Sequence, residues 1–461
     1  MTARTELSQN GIYFLHTDGG TDKLDTAGFS KLSAQERYQR LLDAGVLTPE
    51  DLIALQKGNM LPLETAQTMI ENNIGRMELP MGVAVGVPIN GREYVVPMPV
   101  EETSIIAAVC KTSKLIREHG EATAEVLGHD ITGQIQFPVV SNFPEASARI
   151  AQFSDQLITE ANEHVAPSMV ARGGGVTGIE VRHIARPDGK NMLVVHVHMN
   201  ACDAMGANSI TQVCEFLRGP LEDIILEKSN MCIVSNLSER SLVQSSVALH
   251  GIEPAIAQGI EEASLFAQLD PHRAATHNKG IMNGIDPILI ATGNDWRAVE
   301  AGAHAYAARD GQYRGLSTWT SFEEDDGRRS LYGKMIIPMS IGTVGGATRI
   351  HPTAQMSLRI MDVQSADDLT KIAATVGLIQ NLGALHALTT DGLVKGHMRL
   401  HIANIIAETN AAPYEKAVLT MRLREFLEAQ GKVTVTDAQS VLQKMRTPIH
   451  QNGHNGNGHH S

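Results

Sequence analysis

The sequence predicts an α+β protein of two or three domains, with one small domain inserted in the chain. Its 461 residues are about three times the length of a common domain of ~150 residues. Hydrophobic residues make up 43% and charged residues 19%, which indicates a large buried core and excludes a mainly disordered chain. Between residues 129 and 236 the patterns follow the order β-α-β-β-α, whereas helical patterns dominate elsewhere.

The net charge and the cysteine content argue against several classes of protein function. The 38 Lys and Arg against 51 Asp and Glu give a formal net charge of −13, which argues against nucleic-acid binding and attachment to an anionic membrane. Four cysteines without a CxxC pair exclude a zinc ribbon and a disulfide scaffold, and favour a reducing cytoplasm. The chain has no run of ~18 apolar residues and no signal-like N-terminus, so the sequence predicts neither a membrane span nor secretion.

The first part of the chain is expected to be helical after a polar extension at residues 1–30. One of two consecutive helices begins at Thr48, because the Pro and Glu that follow it favour a helix start. A short strand at Tyr94–Val96 then precedes a helix that begins after Ser104 and ends at Gly120.

Strand and helix patterns alternate through the rest of the chain. The strands expected are Ile131–Val140, Ile179–Ile184, Met192–Met199, 332–342 and 354–361. The helices expected are Glu145–Glu163, one after Gly206, 240–268, 293–310, 365–388 and a helical piece from Gly392 to about 447. The tail at 448–461 is polar and of low complexity, and is expected to be disordered.

A glycine spacing at Gly173, Gly175 and Gly178 matches the dinucleotide fingerprint formally. That fingerprint works only between a strand and the start of a helix. Here the glycines lead into a strand instead, so we interpret them as a tight turn and reject a Rossmann fold.

Two loops of small residues would allow a ligand to approach the backbone closely. Residues 203–208 (DAMGAN) follow a strand and open a helix, so their N–H groups could meet a pyrophosphate, and Asp203 could accept from a ribose or nicotinamide. Residues 342–348 (GTVGGAT) form the second loop. An ordinary helix cap and an ordinary turn are the alternatives that the sequence leaves open.

Four kinds of side chain could supply acid–base chemistry. Lys279 offers a cation for an oxyanion, Glu101, Glu102 and Asp295 offer carboxylates, and His397 offers an imidazole acid. A solvated lysine, first-turn carboxylates and a helix N-cap are the structural alternatives. No spacing rule assembles the set.

Two histidine pairs have spacings compatible with a metal. His196 and His198 share one face of a strand, and His397 and His401 are four apart on an expected helix. Neither pair has a Cys partner or the HExxH spacing, so the sequence predicts no metal site.

Several segments, taken together and in this order, resemble the class II hydroxymethylglutaryl-CoA (HMG-CoA) reductases, the soluble bacterial and archaeal type. The resemblance covers residues 35–445, and THNKGIMNGID with DAMGAN is its most specific part. The matching segments are ENNIG at 71–75, LPMG at 79–82, VPM at 96–98 before Glu101 and Glu102, DAMGAN at 203–208, SNL at 235–237, THNKGIMNGID at 276–286, ATGNDWRAVEAGAHAYAAR at 291–309, GTVGGAT at 342–348 and LVKGHM at 393–398.

The resemblance implies a particular domain organisation. A large, mainly helical CoA-substrate domain would be discontinuous (31–128 and 237–390), with a small ferredoxin-like, non-Rossmann NAD(P)-binding domain at 129–236. A C-terminal helical flap at 391–447 would carry the catalytic histidine. The family also implies a homodimer with active sites at the subunit interface, or an oligomer of dimers, located in the cytoplasm and bound to neither nucleic acid nor membrane.

The activity implied is the four-electron reduction of HMG-CoA to mevalonate and CoA with two NADH or NADPH and no metal, or the reverse. Lys279 would stabilise the oxyanion, His397 would protonate the CoA thiolate, Glu102 would supply a proton to mevaldehyde, and Asp295 would keep Lys279 charged. The substrate contacts implied are Ser104, Asn236, Arg273 and Asn283. The cofactor contacts are Asp203, Met205, Gly206, Ala207, Asn208, Val344 and Gly345.

Departures from the family pattern are Thr103 in place of Pro, Thr211 in place of Asn, and Gly86-Val87 in place of Asn-Phe. None removes a catalytic group, and the choice between NADH and NADPH stays open. Another nicotinamide-dependent acyl-CoA or aldehyde reductase on the same scaffold is the alternative. A non-enzymatic interaction protein is disfavoured by the full set of catalytic side chains.

Overall fold

The computed structural model describes residues 24–58, 60–390 and 401–446, and the backbone alone of 5–7 and 13–15. It confirms the mixed α and β architecture. The helices are α1 (Ala34–Asp43), α2 (Pro49–Lys57), α3 (Leu63–Met69), α4 (Ile105–His119), α5 (Phe143–His164), α6 (Pro167–Val170), α7 (Ala207–Ile225), α8 (Pro254–Leu269), α9 (Pro271–Ala291), α10 (Trp296–Ala307), α11 (Gly346–Ile350), α12 (Pro352–Ile360), α13 (Ala366–Thr389), α14 (401–407), α15 (Pro413–Gln430) and α16 (Val435–Arg446), with a 3-10 turn at Phe29–Lys31.

The strands form antiparallel sheets and hairpins. They are β1 (Thr5–Leu7), β2 (Tyr13–Leu15), β3 (Met81–Ile89), β4 (Arg92–Pro99), β5 (Gly120–Val126), β6 (Asp130–Val140), β7 (Gly175–Ala185), β8 (Asn191–Asn200), β9 (Met231–Arg240), β10 (Leu242–Ile252), β11 (Ser317–Glu323) and β12 (Arg329–Pro338). Strands β1 and β2 pair with each other, as do β3 and β4.

One four-stranded sheet has the order β11-β12-β10-β5. Side chains from its strands, from the β3–β4 hairpin and from helices α4, α8, α9, α10 and α13 share the largest hydrophobic core. Helix α13 lies deep in this core. It is long and apolar enough to cross a membrane by length and composition, yet 67% of its most apolar window is buried in the protein, as expected of a core helix.

The second four-stranded sheet has the order β7-β8-β6-β9 and is built from one contiguous stretch of chain. Its elements follow in the order β6-α5-β7-β8-α7-β9, with the short α6 after α5. Alternate residues of the strands and the apolar faces of α5 and α7 form a separate core, around Phe137, Ile150 and Leu217. The period of two in the strands and the helical period in α5 and α7 explain why this segment is well predicted from sequence.

This stretch leaves and rejoins the first sheet at neighbouring points. Strands β5 and β10 pair antiparallel, with Val126 opposite Val243. At the base of the second sheet, Asp130 is opposite Arg240. The chain between β5 and β10 is therefore inserted at the position of a hairpin turn, because these two strands pair directly with each other.

Two expected elements are wrong. Residues 240–268 were expected to be helical, but the first half is strand β10, whose backbone pairs with β5 on one side and β12 on the other. Residues 354–361 were expected to be a strand, but helix α12 spans them. Pro352 starts this helix, and the Nδ1 atom of His351 accepts a hydrogen bond from the Thr353 N–H at 3.2 Å.

The described chain divides into two compact units. The first comprises residues up to Glu101 together with Ile105–His386, and the second comprises Glu102–Ser104 together with the chain from Ala387 onward. In the second unit, α14, α15 and α16 share a small core of leucine, isoleucine and valine side chains. The expected tail at 448–461 and part of the expected flap lie outside the described residues.

Candidate active site

Helix α9 carries three of the residues singled out from the sequence. Asp270 caps the helix, since its Oδ1 accepts a hydrogen bond from the His272 N–H at 3.1 Å, and Pro271 fits its first turn. Lys279 is exposed, and Asn283 lies one turn further on the same face. Arg273 lies two turns before Lys279, and partial burial lowers the pKa of its guanidinium.

The residues directly before Lys279 anchor the helix in the core. His277 is 2% exposed, and its Nε2 lies 2.7 Å from the Ser317 Oγ and 3.2 Å from the Asn381 Nδ2. Asn278 donates from Nδ2 to the Arg314 carbonyl at 2.9 Å and accepts from the Leu316 N–H at 2.8 Å. Burial lowers the pKa of His277 to about 3, so its imidazole is neutral. These buried contacts fix the rotation of α9 and therefore the side of the helix from which Lys279 projects.

Close packing on α13 holds the other side of α9. Gly284 lies against α13, where an added Cβ would come within 2.7 Å of the Val376 carbonyl oxygen. Glycine costs helix stability, but here it allows the two helix backbones to approach. The sequence did not predict Lys279 to be helical, because the polar and glycine-containing segment around it is typical of a loop.

Asp295 lies directly before the next helix, in the N-cap role that the sequence left open as its structural alternative. Its Oδ1 accepts a hydrogen bond from the Ala298 N–H at 3.2 Å, which makes it the N-cap of α10. The same oxygen lies 3.1 Å from the Arg297 Nη2. These contacts hold the carboxylate at the positive end of the helix.

The loop at 203–208 connects β8 to α7. Gly206 is the N-cap of α7 with φ 84°, and an added Cβ there would lie 2.5 Å from side-chain atoms of Ala201 and Ile131. A glycine supplies no side chain to cap the helix, so its first N–H groups are suited to an anion. Asp203 does not cap α7. Its Oδ1 accepts from the Ala366 N–H at 2.8 Å, at the start of α13.

The loop at 342–348 lies directly against the first loop. The Thr343 N–H donates to the Asp203 carbonyl at 2.9 Å. A Cβ added to Gly342 would lie 2.7 Å from the Met205 nitrogen, so this contact requires glycine. Val344 and Gly345 follow at the exposed tip of the loop, and Gly345 has φ 82°.

A small cleft brings predicted substrate and cofactor residues together. Met205 and Ala207 of the first loop line it, and so does Asn236 of strand β9. The first turn of α10 contributes Ala298, and Ser340 adds a hydroxyl whose oxygen is buried without a hydrogen-bond partner in the described structure. Residues expected from two different predicted domains thus share one cavity within the first unit.

The remaining catalytic candidates belong elsewhere in the chain. Glu102 and Ser104 lie between β4 and α4 and belong to the second unit. Glu102 is exposed, and Ser104 has a positive φ of 77° directly before the helix. His397 lies outside the described residues.

The histidine pair on β8 is part of a polar network on the sheet. His196 Nε2 lies 2.8 Å from the Gln134 Nε2, and His198 Nδ1 lies 3.2 Å from the Thr132 Oγ1. Burial and then the Arg182 guanidinium lower the pKa of His196 to about 4, and burial also lowers that of His198. In the described part of the chain no group of three or more His, Cys, Asp or Glu is arranged to hold a metal.

Comparisons with known proteins agree with this architecture. A family model described as hydroxymethylglutaryl-coenzyme A reductase matches residues 33–402. The 3-hydroxy-3-methylglutaryl-coenzyme A reductase of Archaeoglobus fulgidus is 41% identical over 426 residues, which cover 91% of this chain and 94% of the relative. A probable enzyme of the same name from Borreliella burgdorferi is 32% identical over 397 residues, which cover 82% of this chain and 86% of the relative.

Solved structures give the same result. The class II 3-hydroxy-3-methylglutaryl-CoA reductase from Streptococcus pneumoniae, bound to NADPH in open conformations, is 41% identical with a TM-score of 0.75, and the match covers 79% of this chain and all of that one. A second structure of the Streptococcus pneumoniae enzyme is 38% identical with a TM-score of 0.76, covering 92% of this chain and 100% of the other.

These similarities define an oxidoreductase. The chain belongs to the hydroxymethylglutaryl-coenzyme A reductase family, and the family expected from the sequence motifs is confirmed.

Proposed function

We propose that the protein reduces (S)-HMG-CoA to mevalonate and CoA at the expense of two NAD(P)H, or catalyses the reverse oxidation. The observation that carries this proposal is Lys279, an exposed ammonium on a helix whose neighbouring residues are locked in the core. Family membership supports the same reaction. A rigidly aimed cation is what a developing oxyanion needs.

The side chains of this family member divide the chemistry between them. When bound, NAD(P)H would supply the hydride for each of the two reductions. Lys279 donates to the thioester oxygen, and Asp295 favours the charged form of that lysine. His397 protonates the departing CoA thiolate, and Glu102 provides the proton for reduction of mevaldehyde to mevalonate. Arg273, Asn283, Asn236 and Ser104 hold the substrate in this proposal.

The residues around the cleft fit a dinucleotide. Among the described residues, no side chain caps the first N–H groups of α7, as an anionic pyrophosphate requires. Asp203 supplies a carboxylate acceptor, and Met205, Gly206, Ala207, Asn208, Val344 and Gly345 leave room for close approach of the cofactor. The contiguous βαββαβ order of residues 130–240 supports a ferredoxin-like NAD(P)-binding domain at 129–236.

The remaining parts of the proposal concern the domains, the oligomeric state and the cellular location of the enzyme. The CoA-substrate domain takes in 31–128 and 237–390, and residues 391–447 form a C-terminal flap that brings in His397. The enzyme acts as a homodimer, or an oligomer of dimers, with active sites at the subunit interface, and it works in the cytoplasm.

The test is an assay of NAD(P)H oxidation and free thiol release with HMG-CoA, run with both cofactors. Complete reduction oxidises two NAD(P)H for each CoA thiol released. A ratio of one would indicate an acyl-CoA reductase that stops at the aldehyde, and no oxidation with either cofactor would contradict the proposal.

A second assay distinguishes the roles of the two proposed proton donors, His397 and Glu102. His397→Gln is expected to slow the overall reaction by about 10²–10⁴ and to affect the reduction of added mevaldehyde far less, because no thiolate departs in that step. Glu102→Gln should impair both reactions. Equal losses in both reactions for His397→Gln would remove its assignment as the thiolate acid.

A further inference from the structure

One side chain, Asn294, joins the helices of the substrate side to the loops of the cofactor side. Its Oδ1 accepts from the Gly342 N–H at 2.8 Å, and its Nδ2 donates to the Gly342 carbonyl at 3.0 Å. Nδ2 also donates to the Thr292 Oγ1 at 3.0 Å. The amide therefore binds both polar groups of residue 342 and uses both of its own N–H bonds, which fixes its orientation.

On the helix side, the backbone of Asn294 forms the corner between α9 and α10. Its N–H donates to the Leu289 carbonyl at 2.8 Å, and its carbonyl accepts from the Trp296 N–H at 3.1 Å. Asp295 is the next residue and caps α10. A movement of Asn294 would therefore move the Asp295 carboxylate and the end of the helix that carries Lys279.

On the loop side, Gly342 packs directly against the predicted cofactor loop at residues 203–208. Its backbone touches Asp203 and Met205, at distances that leave no room for a Cβ. The Thr343 N–H also binds the Asp203 carbonyl. Because Asp203 and Met205 lead directly into Gly206 and α7, a shift of Gly342 displaces the start of that helix.

We propose that Asn294 is a positioning residue that sets the distance between the Asp295 corner and the cofactor loops at 203–208 and 342–345. This inference rests on the proposed function, in which hydride passes between groups held by these two sides. A displacement of 1 Å in such a geometry can cost about 100-fold in rate. A residue that only stabilised a turn would leave cofactor binding unchanged.

A second asparagine provides a matched control. Asn90, in the turn between β3 and β4, donates from Nδ2 to the Ala124 carbonyl and accepts from the Ala124 N–H, both at 2.9 Å. Asn90 thus makes the same pair of hydrogen bonds to the backbone of one residue, at a place that contributes to no predicted site. Asn→Asp at either position keeps the acceptor and replaces the donor by a second oxygen, which repels the carbonyl it faced.

The experiment compares Asn294→Asp with Asn90→Asp in the full chain, measuring melting temperature, the Kd for NADPH by fluorescence titration, and KM and kcat. Both variants should lower the melting temperature similarly. Asn294→Asp is expected to raise the Kd and KM for NADPH about tenfold and to lower kcat about tenfold or more, with the KM for HMG-CoA changed less than about twofold. Asn90→Asp should leave all four constants near wild type.

Equal kinetic effects in the two variants would overturn the proposal. If Asn294→Asp does not fold, Thr292→Val removes one hydrogen bond to the same amide and should still raise the Kd for NADPH two- to threefold, about 0.4–0.7 kcal/mol; an unchanged Kd would also overturn the proposal. Wild-type protein that binds NADPH but does not oxidise it with HMG-CoA would refute the proposed function alone, because the Kd comparison needs no turnover.

Discussion

The lysine helix α9 and the loop junction, defined as residues 203–206 together with 342–343, are held in place by different means. Around Lys279, His277, Asn278 and their partners are buried and joined by side-chain hydrogen bonds. In the junction, Asp203 is exposed and its contacts are single bonds to backbone groups. The comparison teaches that the predicted charge donor is placed by the core, whereas the predicted cofactor contacts are placed by a few bonds near the surface. Changes to the buried polar residues of the first region should affect folding, and changes in the second should affect binding.

The largest effect is expected for Lys279→Ala. Loss of one aimed oxyanion donor lowers a rate by about 10²–10³, or roughly 2.7–4 kcal/mol, and a full charge contributes more. Because the side chain is exposed, the melting temperature should not change. Lys190→Ala, at another exposed lysine, is the control for turnover. Activity of Lys279→Ala within a factor of two of wild type would end the assignment.

His277→Ala tests the core side of the comparison. The change leaves a cavity and deprives Ser317 and Asn381 of a partner, so the apparent free energy of unfolding should fall by about 2–4 kcal/mol. His272→Ala, at an exposed position on the same helix, should change it by less than about 0.5 kcal/mol. Urea denaturation of both variants gives the comparison, and equal losses would show that the buried network does not anchor α9.

Asp203→Asn tests whether the loop junction affects cofactor binding, and the expected effect is smaller than that of the two preceding variants. The amide oxygen can still accept from the Ala366 N–H, so stability should be nearly unchanged. Loss of the charged acceptor should weaken NADPH binding about three- to tenfold, since a bond to a charged group exceeds a neutral one by roughly 1 kcal/mol. Fluorescence titration measures the Kd. A clear loss of stability with normal NADPH binding would reverse the contrast between the two regions.

The smallest effect concerns the pH dependence of stability. On α9, burial and the neighbouring Glu300 carboxylate raise the pKa of the Asp286 carboxyl above its ordinary value. The folded protein therefore keeps a proton that the unfolded chain releases near pH 4, so stability should fall as the pH rises above about 4. Asp286→Asn removes this titrating group. Its melting temperature should decline by a few degrees less than that of wild type between pH 5 and 9, and parallel profiles would contradict the assignment.

Sequence reasoning succeeded where structure is local. Three strands of the second sheet and its two long helices were predicted because they are consecutive, whereas strand β9 was missed. The N-cap left open for Asp295 could be foreseen because the cap and its amide are three residues apart. Strand β10 was missed because both of its partners are distant in sequence and its buried Ser245 and Ser246 resemble an exposed surface. In α12, alternate apolar residues from Met356 to Ile360 imitate a strand.

The candidate site shows the same division. The catalytic set came from a family resemblance, since no spacing links Lys279 to Asp295. Asn294 escaped notice because its partner Gly342 lies 48 residues away. The polar residues around His277 were also missed, because a histidine between polar neighbours does not reveal that it will be buried. An asparagine between a glycine and a helix cap is the one local signal that could have drawn attention to Asn294.

The pairing of β5 with β10 has a consequence for the history and engineering of this chain. Because the two strands are adjacent where the second sheet leaves and returns, a single insertion into a hairpin turn is enough to add that whole folded module. Loop closure cost grows only logarithmically with loop length, so the host sheet tolerates such an addition. The same connectivity makes the module portable: a short turn joining Val126 to Val243 would excise it, and a related module could be grafted at the same two residues.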